Sequence, residues 1–393
     1  MAKRVFSIVC VSSEDWDAAL PTNRQQIMLR AAQRGHRVLF LETSQFLGKH
    51  LWRLVRGPRR SLFRRLVGGE SVVPGVMVRK ALNVLPWGQR YRIAGRVNGA
   101  VTRVLVRRVA RALPEPVVLW VYDPCAANLS GRCREAFSVY DCVDDYVEQV
   151  GPDERRRAVV AAGDEEAAAG ARLVFATTRP LFDRQSRRNA RTYLAPNAAD
   201  FERFAPATDR SLAAPEAADL PRPVLGFVGN IVPEKVDLDL LESLARARPD
   251  WTFLLVGPAT PRLAERVAGL SGLANVRWVG PKPYAELPPY VAAFDVGLIP
   301  YQLNPYTRSC FPLKVFEYLA AGKPVVASGV PELAGMEPDV LVCSSAAEFA
   351  AGVEAALART SGEDRARRRA LAAENTLDGR ADRLLGLVAE ELA

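Results

Sequence analysis

Lys314 and Glu317 stand three residues apart in the stretch YTRSCFPLKVFEYLAAGKPVV, which runs from Tyr306 to Val326. On a helix that spacing puts an ammonium and a carboxylate on one side of a single turn. Together they suit a nucleotide: the cation meets a diphosphate and the carboxylate accepts two ribose hydroxyls. Arg308 and Ser309 precede them in an irregular segment. The same pair also fits an amphipathic helix with solvated charges. A second set of carboxylates, Asp123, Asp141, Asp144 and Asp145, follows two apolar runs, Val117–Val121 and Ala136–Tyr140. A carboxylate so placed can orient or deprotonate an acceptor hydroxyl, or it can cap a helix.

These residues need elements to position them. Pro312 suits the first turn of a helix. Leu313, Phe316, Leu319 and Ala320 then recur at helical spacing, and Gly322 and Pro324 end the run. The free amides at the start of such a helix favour phosphate. Near the N-terminus, Val5–Val11 reads as a buried strand, Asn23–Gln33 as a helix and Val38–Glu42 as a second strand. The loop between the first strand and its helix lies past a carboxyl end, where open α/β sheets bind ligands. Arg24 and Gln25 open that helix, within reach of substrate or as a solvated helix start. Arg90–Arg111 reads as a long helix with Ile93, Val97, Val101, Val104, Leu105 and Val109 on its apolar side. Ala205 to Pro223, rich in Ala, Pro and Asp, reads as a linker. Strands then alternate with helices a second time, without hairpin signals. The expected fold class is α/β, with two Rossmann-like domains whose parallel sheets face a cleft. The boundaries are residues 1–200, a linker at 201–222, a second domain at 223–374 and a terminal helix at 375–393.

The net charge of +9 over 393 residues is unevenly placed. Residues 49–111 hold sixteen Lys and Arg against one acid, Glu70, so this insertion is +15 and the remainder −6. Within it, Arg53, Arg56, Arg60, Arg64 and Arg65 interleave with Leu51, Trp52, Leu54, Leu62 and Phe63. A basic amphipathic segment with aromatic residues suits an anionic membrane surface, and arginine suits a lipid-linked pyrophosphate. A solvated helical hairpin has the same pattern. No zinc-finger, helix-turn-helix or RNP-like pattern accompanies the charge, so nucleic acid is not an expected partner. Six cysteines without a CxxC pair and two histidines give no basis for a metal site. No apolar run reaches ~18 residues, and the N-terminus lacks a leader's cleavage pattern. Walker A and GxGxxG sequences are absent. Asp237-Leu238-Asp239 reads as the acidic first turn of a helix.

The second half resembles the nucleotide-binding domain of GT-B glycosyltransferases of the family-4 type. The matching segments are FVGNIVPEK (Phe227–Lys235), FLLVGP (Phe253–Pro258), Val276–Tyr301 and PLKVFEYLAAGKPVVAS (Pro312–Ser328). APNAADFERF (Ala195–Phe204) is similar to the family's hinge, and NRQQ and VYDCVDDY resemble a subgroup similar to teichuronic acid transferases. The resemblance implies transfer of a hexose, with retained anomeric configuration, from a nucleotide-diphosphate sugar. The acceptor would be a lipid-linked or growing glycan of the cell envelope. It implies no cofactor, the nucleotide sugar being a substrate. Donor contacts fall on Gly229, Asn230, Lys235, Lys282, Arg308, Ser309, Lys314 and Glu317, with Glu317 on the ribose and Lys235 on phosphate. Asn230 stands where many members carry Arg, and Ser309 where they carry a sugar-binding Glu. Asp144, Asp123 and Lys314 are the catalytic candidates. Arg24, Arg53, Arg56, Arg60, Arg64 and Arg65 are the acceptor and membrane candidates. The expected location is cytoplasmic, peripheral on the inner face of the cell membrane. A nucleotide-sugar epimerase or a non-catalytic scaffold for nucleotide sugar or anionic glycan are the alternatives.

Overall fold

Apolar, β-branched runs separated by helical stretches give parallel strands buried on both faces. The computed structural model describes residues 4–18, 20–43, 46, 48 and 60–393. It divides into two compact units, Met1–Pro196 with Ala381–Ala393, and Asn197–Arg380. Arg53 and Arg56 lie outside the described residues.

The first unit holds an eight-stranded sheet in the order β3-β4-β2-β1-β5-β6-β7-β8. Its strands are β1 (Ser7–Ser12), β2 (Arg37–Glu42), β3 (Glu70–Val73), β4 (Val76–Lys80), β5 (Val117–Val121), β6 (Phe137–Cys142), β7 (Leu173–Ala176) and β8 (Thr192–Leu194). All pairings are parallel except β3 with β4. The β3–β4 hairpin is an element of the first unit that the sequence reading did not include. Pro74-Gly75 makes the turn, with Gly75 at φ +85°, and that dipeptide was the available signal. Val9, Leu39, Leu119, Tyr140 and Val174 form the core of this sheet. The last helix, Leu377–Glu391, adds its final turns to this unit. There Asp382 pairs with Arg34 at 3.0 Å and Glu391 pairs with Arg172 at 2.6 Å.

The second unit has a wholly parallel sheet in the order β11-β10-β9-β12-β13-β14. Its strands are β9 (Val224–Val228), β10 (Thr252–Val256), β11 (Val276–Trp278), β12 (Val296–Ile299), β13 (Val325–Ser328) and β14 (Val340–Cys343). Leu225, Phe253, Leu298 and Val326 lie in its core with Leu241 and Phe349 from the covering helices. Asp237 caps the helix Leu238–Ala247, as its position in the first turn predicts. The expected linker is instead a series of short turns packed on this unit. Ala207 and Ala217 are buried, and Arg210 donates to the Ala293 carbonyl at 2.7 Å. Small side chains let these turns lie close to their neighbours.

The basic insertion sorts into inner and outer charges. Arg65, expected at a membrane or acceptor, is buried beneath its helix Arg60–Val67. It reaches Asp17 at 2.7 Å, Glu70 at 2.8 Å and Glu42 at 3.1 Å. Glu42, fully buried at the end of β2, also takes Lys80 at 2.5 Å. A carboxylate in the core must be paired, and these two cations pair it. Arg60, Arg64, Phe63 and Val67 remain exposed on the outer side. The helix Arg92–Ala110 departs more sharply from expectation. Its buried positions are Asn98, Thr102, Val106 and Ala110, while Ile93, Val97 and Val104 face outward. Among the described residues no helix is long and apolar enough to cross a membrane.

Replacing Glu42 by Gln removes the buried carboxylate that Lys80 and Arg65 share and leaves Lys80 to Asp15 and Arg65 to Asp17 and Glu70. The expected loss is roughly 3 kcal/mol or more in the stability of the first unit, read as a lower denaturant midpoint.

Candidate functional site

Both sheets reverse their winding next to a central strand, at β1/β5 in the first unit and β9/β12 in the second. Loops leaving these strands diverge and leave room for a ligand at the carboxyl edge. The candidate residues lie there.

In the second unit, β9 ends at Gly229-Asn230 and β10 at Gly257. Gly257 has φ +138°, and a Cβ on it would strike the Gly229 carbonyl. Only glycine allows these two turns to touch. Asn230 is exposed beside them. Lys235, a few residues on, holds its ammonium 5.2 Å from the centre of the Tyr306 ring. Its carbonyl accepts from Gln302 N–H at 2.7 Å, tying this loop to the segment that follows β12.

The helix after that segment is Lys314–Ala320. It starts two residues later than Pro312 suggests and ends at Gly322, which adopts φ +70°. Tyr318 fixes it to the sheet, because its hydroxyl accepts the Val228 N–H at 2.8 Å. This places Glu317 inside, 4% exposed. Tyr284 donates its hydroxyl to Glu317 Oε1 at 3.1 Å, and Lys314 Nζ lies 2.8 Å from Oε2. The Lys314 ammonium also sits 5.5 Å from the Tyr284 ring centre. Burial pushes the Tyr284 hydroxyl well above its usual pKa, and the Glu317 charge adds to the effect. The phenol therefore stays a donor. Arg203 covers the same ring at 5.3 Å and Phe204 meets it edge-on. The result is a carboxylate held by one cation and one phenol, with an aromatic face beside it.

Tyr284 is the member that sequence reasoning missed. It follows Gly280, Pro281 and Lys282 by two residues, and an aromatic residue just past a strand's carboxyl end was the signal. Lys282 is engaged elsewhere: its ammonium lies 2.6 Å from Glu216 and over the Tyr290 ring. This engagement of the side chain leaves the expected donor contact of Lys282 to its backbone. Arg308 is exposed at the end of a short helix, and Ser309 next to it is buried. Asn197 donates to the Phe311 carbonyl at 2.6 Å and accepts from Arg380 at 3.2 Å, bracing the approach to Lys314.

In the first unit, Asp123 follows β5. Thr43 Oγ1 donates to its Oδ2 at 2.7 Å and the Cys125 N–H to its Oδ1 at 2.9 Å. It thus caps a 3-10 turn and lines a cavity of about 420 Å³ that also includes Asn83, Trp87 and Arg156. Arg24, after β1, is buried, which sets aside the alternative of a solvated helix start. It pairs with Glu14, donates to Tyr146 Oη at 3.1 Å and lies over the Tyr122 and Tyr146 rings. Burial opposes the Arg24 charge, but Tyr146, Glu14 and Asp144 together outweigh it and raise its pKa. Asp144 is half-buried within the field of that guanidinium. The other two carboxylates are structural. Asp141 accepts from the Trp120 indole at 3.3 Å, and Asp145 caps a helix and binds Arg184 at 2.7 Å.

Comparison with known proteins bears on both units. Residues 222–359 match the family described as glycosyl transferases, group 1. A relative named for teichuronic acid biosynthesis, the glycosyltransferase TuaH of Bacillus subtilis (strain 168), is 45% identical over 114 residues. That match covers 29% of this chain and 28% of TuaH. Among solved structures, a sucrose-phosphate synthase from Thermosynechococcus elongatus superposes with a TM-score of 0.73 at 18% identity. The match covers 98% of this chain and 99% of that one. HepE of Anabaena, solved with UDP and glucose, gives 0.66 at 15% identity, covering 97% and 99%. An α,α-trehalose 6-phosphate synthase from Burkholderia multivorans gives 0.68 at 14%, covering both chains in full. These likenesses show the GT-B fold.

Replacing Tyr284 by Phe removes the neutral donor to Glu317 and leaves the carboxylate to Lys314. The expected cost is about 1 kcal/mol in the second unit, read as a lowered unfolding midpoint with unchanged secondary structure.

Proposed function

We propose that this chain, whose residues 222–359 are a group 1 glycosyl transferase domain on a GT-B frame, transfers a hexose from a nucleotide-diphosphate sugar. The acceptor is a lipid-linked or growing glycan of the cell envelope. The observation that carries this reading is the buried Glu317 held between Lys314 and Tyr284. A carboxylate held there can accept two ribose hydroxyls, and Lys314 and Lys235 supply charge for the diphosphate. HepE was solved with UDP, which supports a nucleotide donor. The teichuronic acid relative supports an envelope glycan.

In the proposed step the bond from the anomeric carbon to the donor phosphate breaks. A bond from that carbon to the acceptor oxygen forms. The nucleoside diphosphate leaves with both electrons of the broken bond, its growing charge met by Lys235, Lys314 and the exposed Arg308. The hydroxyl proton passes to Asp144 or to an oxygen of the leaving phosphate. Asp123 is less available, since both its oxygens already accept hydrogen bonds. Transfer proceeds with retention of anomeric configuration and without a metal. Arg60, Arg64, Phe63 and Val67 form the outer side of a basic amphipathic helix, which supports peripheral attachment to the inner face of the membrane.

Labelled UDP-sugars supplied with membrane lipid extract are expected to yield labelled lipid or glycan. Altered free donor would indicate an epimerase, and binding without turnover would indicate a scaffold. Glu317→Ala is expected to raise the donor Kd at least tenfold and abolish transfer; full activity in that variant sinks the site. Asp144→Asn is expected to lower kcat by about 10²–10⁴ with donor Kd unchanged. For the membrane, flotation with phosphatidylglycerol vesicles at low salt should carry the protein, and Arg60→Glu with Arg64→Glu should reduce it. Failure of the unmodified protein to float removes the attachment.

A further inference from the structure

The helix Arg92–Ala110 has three faces. Its inner face carries Asn98, Thr102, Val106 and Ala110, with Leu105 and Val109 against the core. Beside it, Arg92, Arg96 and Arg103 fall at i, i+4 and i+11, one line along a helix. Next round the helix, Ile93, Val97 and Val104 repeat that spacing one residue later. They are 76%, 39% and 69% exposed. Trp87, just before the helix, is 70% exposed. A surface helix with one apolar face turns it inward; here a second apolar line faces out, flanked by guanidinium groups.

The arginine line opens into a cavity of about 430 Å³ that Arg132 completes from the far wall. Four arginines line it against one acid, Glu166. The Arg103 Nε is buried and has no hydrogen-bond partner. Unanswered guanidinium charge in a concave site matches phosphate oxygens, which it meets two at a time. This cavity shares Gly88, Gly95, Cys125 and Asn128 with the cavity that contains Asp123. Gly95 keeps the partition thin, since a Cβ there would lie 2.8 Å from the Gly88 carbonyl.

We infer that the arginine cavity binds the diphosphate of an amphiphilic acceptor. The apolar chain of that acceptor lies along Ile93, Val97 and Val104, and its sugar end enters the adjoining cavity beside Asn83 and Trp87. The charge selects the diphosphate, the outward apolar line selects an isoprenoid-like chain, and the second cavity leaves room for a sugar. A free nucleotide uses the first of these features only. Calling this ligand the acceptor rests on the proposed transfer reaction; its binding does not.

Calorimetry with geranylgeranyl diphosphate, geranylgeraniol and inorganic pyrophosphate tests this. The diphosphate lipid is expected to bind at least tenfold more tightly than either of the other two. Arg96→Glu, at an exposed position that folding tolerates, should weaken it at least tenfold with the thermal midpoint and UDP affinity unchanged. Ile93→Ser with Val104→Ser should weaken the diphosphate lipid and leave pyrophosphate binding as it was. Equal binding by geranylgeraniol, or undiminished binding in Arg96→Glu, overturns the site. Equal binding by pyrophosphate reduces it to a free-anion site and overturns the amphiphile. Competition by phosphatidylglycerol vesicles as strong as that by geranylgeranyl diphosphate overturns it in favour of a general membrane contact. Lipid diphosphate binding without sugar transfer leaves this inference standing and the reaction refuted; transfer without such binding does the reverse.

Discussion

A strand that pairs parallel to its predecessor cannot be reached by a tight turn. The chain must cross back over a face of the sheet, usually as a helix. Among the described residues, every pairing between the fourteen strands but one, β3 with β4, is of that kind. The constraint buries both faces, which explains the unbroken apolar runs in β1, β5, β9 and β10. It also gathers all the loops that follow strands at one edge of each sheet. Asp123, Arg24, Gly229 and Tyr284 are distant in sequence, yet each is delivered by the end of a strand. The chemistry of both units depends on this geometry before it depends on any single side chain.

Two carboxylates show how the fold handles charge out of water. Glu42 and Glu317 are both nearly inaccessible, and each is met by cations. Glu42 is surrounded by two, with the Trp16 N–H as a further donor at 2.7 Å. It is closed, a means of fastening the helix Arg60–Val67 and β4 to β2. Glu317 has one cation and one phenol, and an exchangeable partner is what a binding carboxylate requires. Desolvation costs both of them, but only the second keeps a side that a ligand's hydroxyls can take over. The sign and degree of burial are alike; the number of fixed partners separates a structural carboxylate from a candidate binding one.

The alternation of strands and helices, the helix Asn23–Gln33 to the residue, and the pairing of Lys314 with Glu317 were legible in the sequence, because each rests on local spacing. What was not legible depended on contacts between distant segments. Arg65 looks like Arg64 in the sequence; only the convergence of Glu42, Glu70 and Asp17 makes it internal. Tyr284 acquires a role through a residue 33 positions away. The helix Arg92–Ala110 is the instructive case. Leu105 and Val109 pack on the core as their spacing predicts, but Ile93, Val97 and Val104, which share that apolar pattern, face outward. The true inner face bears Gly95, Asn98, Gly99 and Thr102, small or hydrogen-bonding residues that let the backbone approach Gly88 and Asn128. Close approach selects size over hydrophobicity, and periodicity alone does not report it.

The first unit is closed by residues 381–393, which are made after the whole of the second unit. Asp382 and Glu391 supply partners for Arg34, Arg172 and Arg191, all made long before them. The second unit lies wholly between, so during synthesis it can reach its final form while the first still waits for its last helix. Domains generally fold as units in the order they are made; here the order of completion is inverted. The earlier-made sheet waits through the synthesis of the second unit without its closing helix, in the company of a strongly basic, partly apolar surface. For this chain the hazardous interval is the one between completion of the second unit and the arrival of residues 381–393.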